Sequence, residues 1–507
     1  MKNKFLYFAA LIGGTYPIVS EAQVENPNII FILADDMGYG DISSLNKESK
    51  ICTPNLDQMV REGVSFSDAH TSSSVSTPTR YGILTGRYNW RSKLKRGVLN
   101  GYSEPLITKD RITIASLLKR KGYTTACIGK WHLGWDWTFK NKNNNEVDFE
   151  KPIKNGPTSV GFDYFYGFCG SLDMPPYVYV ENEHITALPD RETVNTGMGF
   201  WRKGPTGKNF VHENTLSHIT DLAINYIRNN SQKNQPFFLY LPLPAPHTPI
   251  LPTKDWKGKS GLNPYGDFVM MVDYEVGRVL NVINELGIDE NTLIVYTSDN
   301  GCSPQARYEE LLSKGHNPSF IYRGHKADLF EGGHRVPCIV KWKGKLCPTI
   351  QNETICLTDF FATFAEITGV KLQDNEGEDS FSMCPLLMDN SKEYTRKSTI
   401  HHSITGEFAI RKGKWKLLVS PSSGGWSVPK PNSKEASVLP PIQLYNLEND
   451  PSEQNNLFNQ HPDIVKELLS LLRKQIREGR STPGKTLSND MEGEWNQLDY
   501  VFKDFAL

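Results

Sequence analysis

The chain has 507 residues, of which 38% are hydrophobic and 22% charged, values typical of a folded globular protein rather than a disordered one. Its 56 basic and 57 acidic side chains nearly cancel, leaving a formal charge of -1. This balance argues against the strongly basic surface of a nucleic-acid-binding domain, so any affinity for an anion must come from a local arrangement of side chains.

The first twenty-two residues have the pattern of a cleavable signal peptide. Lys2 and Lys4 precede an apolar stretch over residues 5–14, and Ser20 and Ala22 place small side chains at the -3 and -1 positions of a cleavage site. The apolar stretch is shorter than the roughly 20 residues that a membrane-spanning helix needs. We therefore expect a periplasmic or secreted protein without a membrane span.

Eight cysteines are spread along the chain without a Cys-x-x-Cys pair, which argues against a zinc ribbon or a thioredoxin-like redox site. Cys127 lies in an apolar run and is predicted to be a buried thiol. Export permits disulfides, and Cys338, Cys347 and Cys356 are close enough in sequence for one bridge to form among them.

Short apolar runs separated by helical patterns predict a doubly wound α/β sheet. The runs with the composition of buried parallel strands are residues 29–34, 124–129, 237–241, 294–298 and 336–340. Residues 114–118 and 268–286 carry apolar side chains at helical spacing. The Asn- and Lys-rich segment 135–157 is predicted to be an exposed insertion.

The pattern changes near residue 395 to short alternating strands, a Ser/Gly/Pro-rich stretch and a terminal amphipathic helix. These features lie at residues 408–411, 415–418, 420–441 and 464–477. We therefore expect a catalytic domain over residues 23–394 and a smaller α+β subdomain over residues 395–507, with an antiparallel sheet and a terminal helix.

Four of the predicted strands run directly into polar side chains. In chain order these are Asp35 and Asp36, Lys130 and His132, His247, and Asp299 and Asn300. Because ligands of open α/β sheets bind beyond the carboxyl ends of the strands, we expect the four groups to share one pocket. The carboxylate and amide oxygens among them suit a hard cation such as calcium better than zinc.

Residues 76–80 read Ser-Thr-Pro-Thr-Arg, and Leu-Thr-Gly follows at residues 84–86. Proline suits the first turn of a helix and glycine its end, so Ser76 and Arg80 are predicted to lie near the positive end of a short helix. A helix N-terminus with an arginine suits a tetrahedral oxyanion. Taken alone, however, the segment is more typical of a helix cap than of an active site.

This segment resembles the signature of the sulfatase family, in which Cys or Ser, any residue, Pro, any residue and Arg precede Leu-Thr-Gly. Further blocks resemble the family in the expected order, at residues 28–36, 129–134, 246–249, 297–301 and 326–337. The resemblance spans roughly residues 26–345 and implies an alkaline-phosphatase-like fold. That fold has a large, mixed, mostly parallel sheet sandwiched by helices and a smaller C-terminal α+β subdomain.

The resemblance also implies the chemistry of the site. In that family the motif Ser or Cys is oxidised to formylglycine, so Ser76 would be the precursor of an aldehyde whose hydrate attacks sulfur and then expels sulfate. One calcium ion would bind Asp35, Asp36, Asp299, Asn300 and residue 76. A serine at this position is associated with bacteria and with an anaerobic radical maturase, which is an implied partner.

The family's catalytic roles map onto five more side chains. Arg80 and Lys130 would hold the oxygens of the formylglycine and the sulfate, and His132 would orient or deprotonate the aldehyde hydrate. His247 and Lys326 would contact the leaving-group oxygen, with His247 as the general acid that protonates the departing alcohol.

Three alternative functions share part of this pattern. A phosphatase or phosphodiesterase of the same superfamily also binds a tetrahedral oxyanion, but it needs further His and Asp ligands, and Asn300 stands where its late metal site usually has His. A phosphonate or sulfonate hydrolase could use the same formylglycine. An inactive protein that binds sulfated glycans would keep the pocket without turnover, although every polar residue expected for turnover is present.

The substrate is predicted from segments 161–167 and 171–177, which resemble those of arylsulfatase A and N-acetylgalactosamine 6-sulfatase relatives. We therefore expect a carbohydrate O-sulfate on galactose or N-acetylgalactosamine. Candidate sugar contacts in nearby segments are Asp173, His184, Arg202 and Lys203.

Overall fold

The computed structural model describes residues 26–388, 392–490 and 495–505, so the predicted signal peptide lies outside the described residues. The strands are β1 Asn28–Asp35, β2 Val64–Phe66, β3 Ala69–His70, β4 Thr124–Lys130, β5 Phe139–Asn141, β6 Glu146–Val147, β7 Tyr164–Phe168, β8 Val180–Glu181, β9 His184–Ile185, β10 Pro189–Asn195, β11 Trp201–Gly207, β12 Phe237–Pro246, β13 Thr292–Ser298, β14 Cys338–Lys341, β15 Thr349–Gln351, β16 Ile355–Cys356, β17 Thr399–His402, β18 Phe408–Lys412, β19 Trp415–Leu418 and β20 Gln443–Asn446. The α-helices are α1 Pro54–Glu62, α2 Ser76–Thr85, α3 Ile114–Lys119, α4 Thr215–Asn230, α5 Pro264–Glu285, α6 Tyr308–Ser313, α7 Glu331–His334, α8 Phe360–Thr368, α9 Cys384–Leu387, α10 Lys434–Ser437, α11 Pro462–Glu478 and α12 Asn496–Val501.

A ten-stranded mixed sheet forms the centre of the larger part, with the strand order β15-β2-β14-β13-β1-β12-β4-β7-β8-β9. Its middle five strands, from β13 to β7, are parallel to one another. β1 is buried along its whole length, as expected for a strand with helices on both faces. This arrangement confirms the predicted mixed, mostly parallel sheet between helices.

Two apolar cores cover the two faces of this sheet. Phe31 of β1 points to one face, where helices α2, α3 and α8 contribute apolar side chains. Its neighbour Ile32 points to the other face, where α1, α4 and α5 pack. Alternate residues of one strand therefore belong to different cores, which explains why the strand reads as an unbroken apolar run.

One predicted strand runs in the opposite direction. Residues 336–340 were expected to form a parallel strand, but β14 is antiparallel to β13, with Thr297 opposite Cys338. β13 ends at Ser298, at the edge of the sheet where the carboxyl ends of the parallel strands lie. Residues 299–337 do not carry the chain back to the opposite edge. The chain therefore re-enters the sheet from the edge at which it left, and the strand must run backwards.

The predicted disulfide is absent, because all eight cysteines are free thiols. Cys338 lies in the large sheet, Cys356 belongs to the separate two-stranded sheet of β16 and β3, and Cys347 is exposed. Proximity in sequence did not bring these side chains together. The predicted burial of Cys127 is confirmed.

The segment 135–157 is exposed only in part. Residues 140–146 form the exposed tip of the β5–β6 hairpin. Trp135 and Trp137 at its start are buried and pack edge to face, with ring centroids 5.4 Å apart. The expectation of an exposed insertion was therefore wrong at these two residues, because the apolar area of the indoles outweighs the polar composition around them.

The C-terminal part consists of a four-stranded antiparallel sheet, in the order β17-β18-β19-β20, covered by helix α11. Leu468 and Leu472 of this helix pack in one core with Ile410 and Leu417 of the sheet. This confirms a smaller antiparallel subdomain, while its boundary at residue 395 stays a prediction. Within the described ranges, no helix combines the length and the hydropathy needed to cross a bilayer.

A buried charge cluster joins this subdomain to the larger part. The ammonium of Lys416 in β19 is fully buried, 3.0 Å from Glu331 at the start of α7 and 2.8 Å from Glu453. Burial, reinforced by the charge of Glu331, raises the pKa of Glu453 to about 7, although Lys416 opposes the shift. Lys416 therefore neutralises two carboxylates that would be costly to bury alone.

We predict that Lys416→Ala lowers the free energy of unfolding by about 3–5 kcal/mol. The substitution leaves the buried carboxylate of Glu453 without a counter-charge, whereas Glu331 keeps Arg335 at 3.2 Å. Lys414→Ala is the matched control, since Lys414 pairs with Glu448 on the surface, where both side chains are about half exposed or more, and such pairs contribute at most about 1 kcal/mol. Urea unfolding followed by fluorescence measures both. Equal effects of the two substitutions would contradict the prediction.

Candidate active site

Four neighbouring parallel strands bring the predicted polar groups to one edge of the sheet. β13, β1, β12 and β4 lie side by side, and their carboxyl ends are Ser298, Asp35, Pro246 and Lys130. The backbone N–H of Asp36 donates to Oδ1 of Asp299 over 3.1 Å, which joins the ends of β1 and β13. Asp36 adopts a left-handed conformation with φ of 66°, a strained geometry that is typical of functional sites.

Ser76 is the first residue of helix α2, which is buried along its whole length. Its Oγ donates to Oδ1 of Asp35 over 3.3 Å and lies 3.5 Å from the ammonium of Lys130. The helix ends at Gly86, whose φ of 62° suits a glycine. The predicted short helix is therefore present, and its positive end lies between a carboxylate and an ammonium.

Arg80 holds two carboxylates one turn further along this helix. Its guanidinium donates twice to Oδ2 of Asp299, over 3.1 and 2.7 Å, and lies 3.5 Å from Oδ1 of Asp35. Burial opposes the charged form of Arg80, but the two carboxylates outweigh it and raise its pKa. Burial and the neighbouring Asp35 raise the pKa of Asp299, with Arg80 acting against them.

Two lysines neutralise the carboxylates at the end of β1. Lys130 contacts Asp35 at 2.6 Å, and Lys326 contacts both oxygens of Asp36, at 2.7 and 2.8 Å. Burial raises the pKa of Asp35, but Lys130, His247, Arg80 and Lys326 together outweigh it, so the pKa lies well below its usual range. Burial lowers the pKa of Lys130, whereas for Lys326 the nearby carboxylates outweigh burial and raise the pKa.

His132 is a neutral base in this arrangement. Its Nε2 lies 2.8 Å from the carbonyl oxygen of Leu99, which can only accept, so Nε2 carries the hydrogen. Burial, together with the charges of Lys130 and Arg80, holds its pKa well below the usual value. Its Nδ1 is buried without a hydrogen-bond partner among the described residues, so a lone pair is available to accept a proton.

Ser171 belongs to the site and was missed by the sequence reasoning. Its Oγ lies 3.1 Å from the ammonium of Lys130 and 3.2 Å from Nδ1 of His247. It follows β7, which pairs in parallel with β4. The sequence did contain a signal for Ser171, since it is a polar residue that follows a buried strand. It was missed because residues 164–168 were not recognised as a strand.

His247 lies between Ser171 and the carboxylate of Asp36. Its side chain is almost fully buried, with Nε2 3.7 Å from Oδ2 of Asp36. It follows β12, so it also extends from the site edge of the sheet. The structure thus brings all the predicted catalytic side chains to one edge of the sheet.

The oxygen donors of the site fit a hard cation. Asp35, Asp36 and Asp299 supply carboxylates, and the amide oxygen of Asn300 is buried without a partner in the described part of the chain. The amide nitrogen of Asn300 donates to Asp36 over 2.7 Å, which fixes the direction of that oxygen. An orphaned carbonyl oxygen beside three carboxylates is the donor set that calcium prefers.

The four candidate sugar contacts are not brought together. Arg202 donates to the carboxylate of Asp173, two residues after Ser171, and this ion pair lies next to the site. Lys203, on the other side of strand β11, pairs instead with Glu192 on the surface. His184 pairs with Glu181 in the β8–β9 hairpin, and Glu181 pairs with Tyr166 in the middle of β7. His184 therefore does not lie beyond the carboxyl end of β7, where the site is.

The family assignment rests on residues 27–370, which match the sulfatase family model. The chain belongs to the sulfatase family. It is therefore an enzyme that hydrolyses sulfate esters, which favours that activity over the phosphatase and binding-only alternatives. The six blocks and the buried polar edge of the sheet lie within the matched residues.

Relatives of known name cover nearly the whole chain. An N-acetylgalactosamine-6-O-sulfatase of Bacteroides thetaiotaomicron is 33% identical, over 91% of this chain and 96% of its own. Human arylsulfatase A is 30% identical, over 89% of this chain and 87% of its own. A solved structure described under metabolism of multiple glycosaminoglycans by Bacteroides thetaiotaomicron has a TM-score of 0.78 at 32% identity, covering 89% of this chain and 99% of that one.

We predict that Ser171→Ala lowers kcat/KM for sulfate release by about tenfold to a hundredfold, because Lys130 and His247 lose the hydroxyl that holds them together. Ser65→Ala is the control, since it removes a buried hydroxyl that has no partner within the described residues, and we expect it to retain wild-type activity. Initial rates on one sulfate ester measure both variants. An unchanged rate in Ser171→Ala would contradict the role assigned to the serine.

Proposed function

We propose that this sulfatase removes an O-sulfate from a galactose or N-acetylgalactosamine unit of a glycan, with a formylglycine made from Ser76 and one calcium ion. The observation that carries the proposal is the near full-length similarity to an N-acetylgalactosamine-6-O-sulfatase. A second solved neighbour, 25% identical with a TM-score of 0.69, is described as a complex with k-i-k-neocarrahexaose. Both relatives support a carbohydrate rather than a simple aryl substrate.

The site residues divide into a cation site and an anion site. Asp35, Asp36, Asp299, Asn300 and residue 76 would hold the calcium ion, which when bound offsets the charge that develops on the sulfuryl group. Arg80, Lys130 and Lys326 carry the positive charges that hold the ester's sulfate oxygens. The formylglycine, when formed at residue 76, supplies a hydrated aldehyde with two hydroxyl groups in place of the single one of serine.

Two histidines carry the proton transfers in this proposal. His132 accepts a proton at Nδ1 from a hydroxyl on residue 76, which its neutral state and free lone pair allow. His247 donates a proton to the oxygen of the departing sugar alcohol, so that the leaving group departs as a neutral hydroxyl. Ser171 keeps His247 next to Lys130 while this happens.

Asp173 and Arg202 are proposed to hold the sugar that carries the sulfate. Oδ1 of Asp173 is buried without a hydrogen-bond partner in the described chain, and its other oxygen accepts from Arg202. The side chain of Arg202 is 53% exposed, so the pair combines an accessible donor with a buried acceptor that is still unsatisfied. Sugar hydroxyls both donate and accept, and such a pair can bind two of them.

Maturation and export complete the proposal. The serine-type motif at residue 76 implies maturation by an anaerobic radical maturase. The signal-peptide pattern of residues 1–22 implies export to the periplasm or the medium. Both rest on the sequence pattern.

The proposed function predicts that matured protein releases sulfate from N-acetylgalactosamine 6-sulfate or galactose 6-sulfate, and that Ser76→Ala protein does not. Ion chromatography of free sulfate on a panel of monosulfated sugars measures this. Chelation should stop the release, and added calcium should restore it. Activity confined to a small aryl sulfate would contradict the carbohydrate assignment, and full activity after chelation would contradict the calcium site.

Arg202→Ala should raise KM for the sulfated sugar about tenfold, because a charge-assisted contact to the substrate is lost. Lys203→Ala is a matched substitution on the adjacent residue, whose side chain pairs with Glu192 instead, and we expect it to leave KM unchanged. Steady-state kinetics on the best sugar of the panel compares the two. A raised KM only in Lys203→Ala would contradict the proposed contact with Arg202 and would indicate that the sugar binds on the other side of β11.

A further inference from the structure

The hydroxyl of Thr77, the residue that follows the proposed nucleophile, links helix α2 to two other segments of the site. Thr77 is the second residue of α2 and is fully buried. Its Oγ1 donates to the carbonyl oxygen of His132 over 2.9 Å and accepts from the backbone N–H of Leu99 over 3.1 Å. Both directions are certain, because a carbonyl oxygen can only accept and an N–H can only donate.

Leu99 connects this hydroxyl to the imidazole of His132. Its carbonyl oxygen accepts from Nε2 of His132 over 2.8 Å, while its N–H donates to Thr77. Leu99 lies in a loop outside any helix or strand, and its N–H has no other acceptor among the described residues. The hydroxyl of Thr77 therefore holds in place the residue whose carbonyl keeps the hydrogen of His132 on Nε2.

The backbone of His132 is held from two sides. It adopts the left-handed conformation, with φ of 57°, which residues other than glycine seldom adopt. Its N–H donates to the carbonyl of Cys169 over 2.7 Å, and its own carbonyl accepts from Thr77. Thr77, His132 and Leu99 thus form a closed ring of hydrogen bonds, and the ring begins one residue from the nucleophile.

We propose that Thr77 is a positioning residue, which holds His132 in the tautomer that can accept a proton from the hydrated aldehyde at residue 76. This inference rests on the proposed function. Nδ1 of His132 has a free lone pair only while the hydrogen is on Nε2, and Thr77 holds the acceptor for that hydrogen. Because Thr77 belongs to the same helix as residue 76, it also fixes the base relative to the nucleophile.

The kinetic test uses matured full-length protein and expresses kcat per formylglycine, counted by the mass of the peptide that contains residue 76. Thr77→Val keeps the shape of the side chain and removes the hydroxyl. It should lower kcat about tenfold to a hundredfold and leave KM within about twofold, because a misplaced base slows the chemical step. Thr77→Ser should restore most of kcat. Thr77→Ala, which cannot clash, should show the same loss as Thr77→Val.

Thr79→Val is the matched control. It removes another buried hydroxyl of α2, which donates to the carbonyl of Ser73 and has no link to His132. Thr77 and Thr79 occupy the two positions at which the signature accepts any residue, so maturation should proceed in both variants. We expect Thr79→Val to keep kcat within about twofold. Equal losses in the two valine variants, a loss in KM alone, or wild-type kcat in Thr77→Val would each overturn the proposal.

The tautomer of His132 can also be measured without any activity. Nitrogen NMR of full-length protein with isotopically labelled histidine distinguishes Nδ1 from Nε2 as the protonated atom, and the signals of His132 are those absent from His132→Gln protein. We expect the Nε2–H tautomer alone in the wild type and a mixture in Thr77→Val. The same single tautomer in both would overturn the role of Thr77. If matured wild-type protein releases no sulfate, the proposed function fails, while this measurement still decides what Thr77 does.

Discussion

Six charged side chains are buried at the carboxyl edge of the sheet, and each is stable there only because an opposite charge lies beside it. They form three pairs: Arg80 with Asp299, Lys130 with Asp35, and Lys326 with Asp36. Each pair joins different elements of the chain, so β1, β4, β13, helix α2 and the segment before α7 are held in one arrangement. Removing one partner would leave a buried charge at a cost of about 3–5 kcal/mol. The pairs that position the site therefore cannot lose one partner without destabilising the fold.

The same pairs explain how the site can bind an anion. Three positive and three negative side chains balance one another, so a bound divalent cation would leave a net positive charge at the sheet edge. A negatively charged sulfate ester then meets a positive site although the whole chain carries a formal charge of only -1. Any affinity for the anion therefore comes from the local arrangement of charges, as expected for a chain whose total charge is close to zero.

Much of this arrangement could be predicted because it depends on local patterns. Apolar runs predicted the central strands. The polar residues that follow these runs predicted the edge of the sheet where the site lies, because the carboxyl ends of parallel strands lie together. The direction of β14 could not be read in the same way, because an apolar run does not reveal from which edge the chain re-enters the sheet. Ser171 escaped notice because its strand contains aromatic residues and a glycine rather than an aliphatic run.

The contribution of the C-terminal subdomain was the least predictable part. Lys416 and Glu331 lie 85 residues apart in sequence, yet they form one buried pair, and Asp328 holds a loop almost a hundred residues later. No local pattern encodes such contacts, because each depends on how two different sheets of the fold pack together. The larger part thus supplies the predicted catalytic side chains, while the smaller part is joined to the segment that carries Lys326, through Asp328 and Glu331.

The central claim is that residue 76 becomes an aldehyde, and the mass of the peptide that contains it tests this most directly. The measurement should use protein isolated from its native host, where the maturase is present. The account predicts a loss of two hydrogen atoms at residue 76 relative to serine, and the loss should coincide with sulfatase activity. An unmodified serine in fully active protein would contradict the proposed nucleophile.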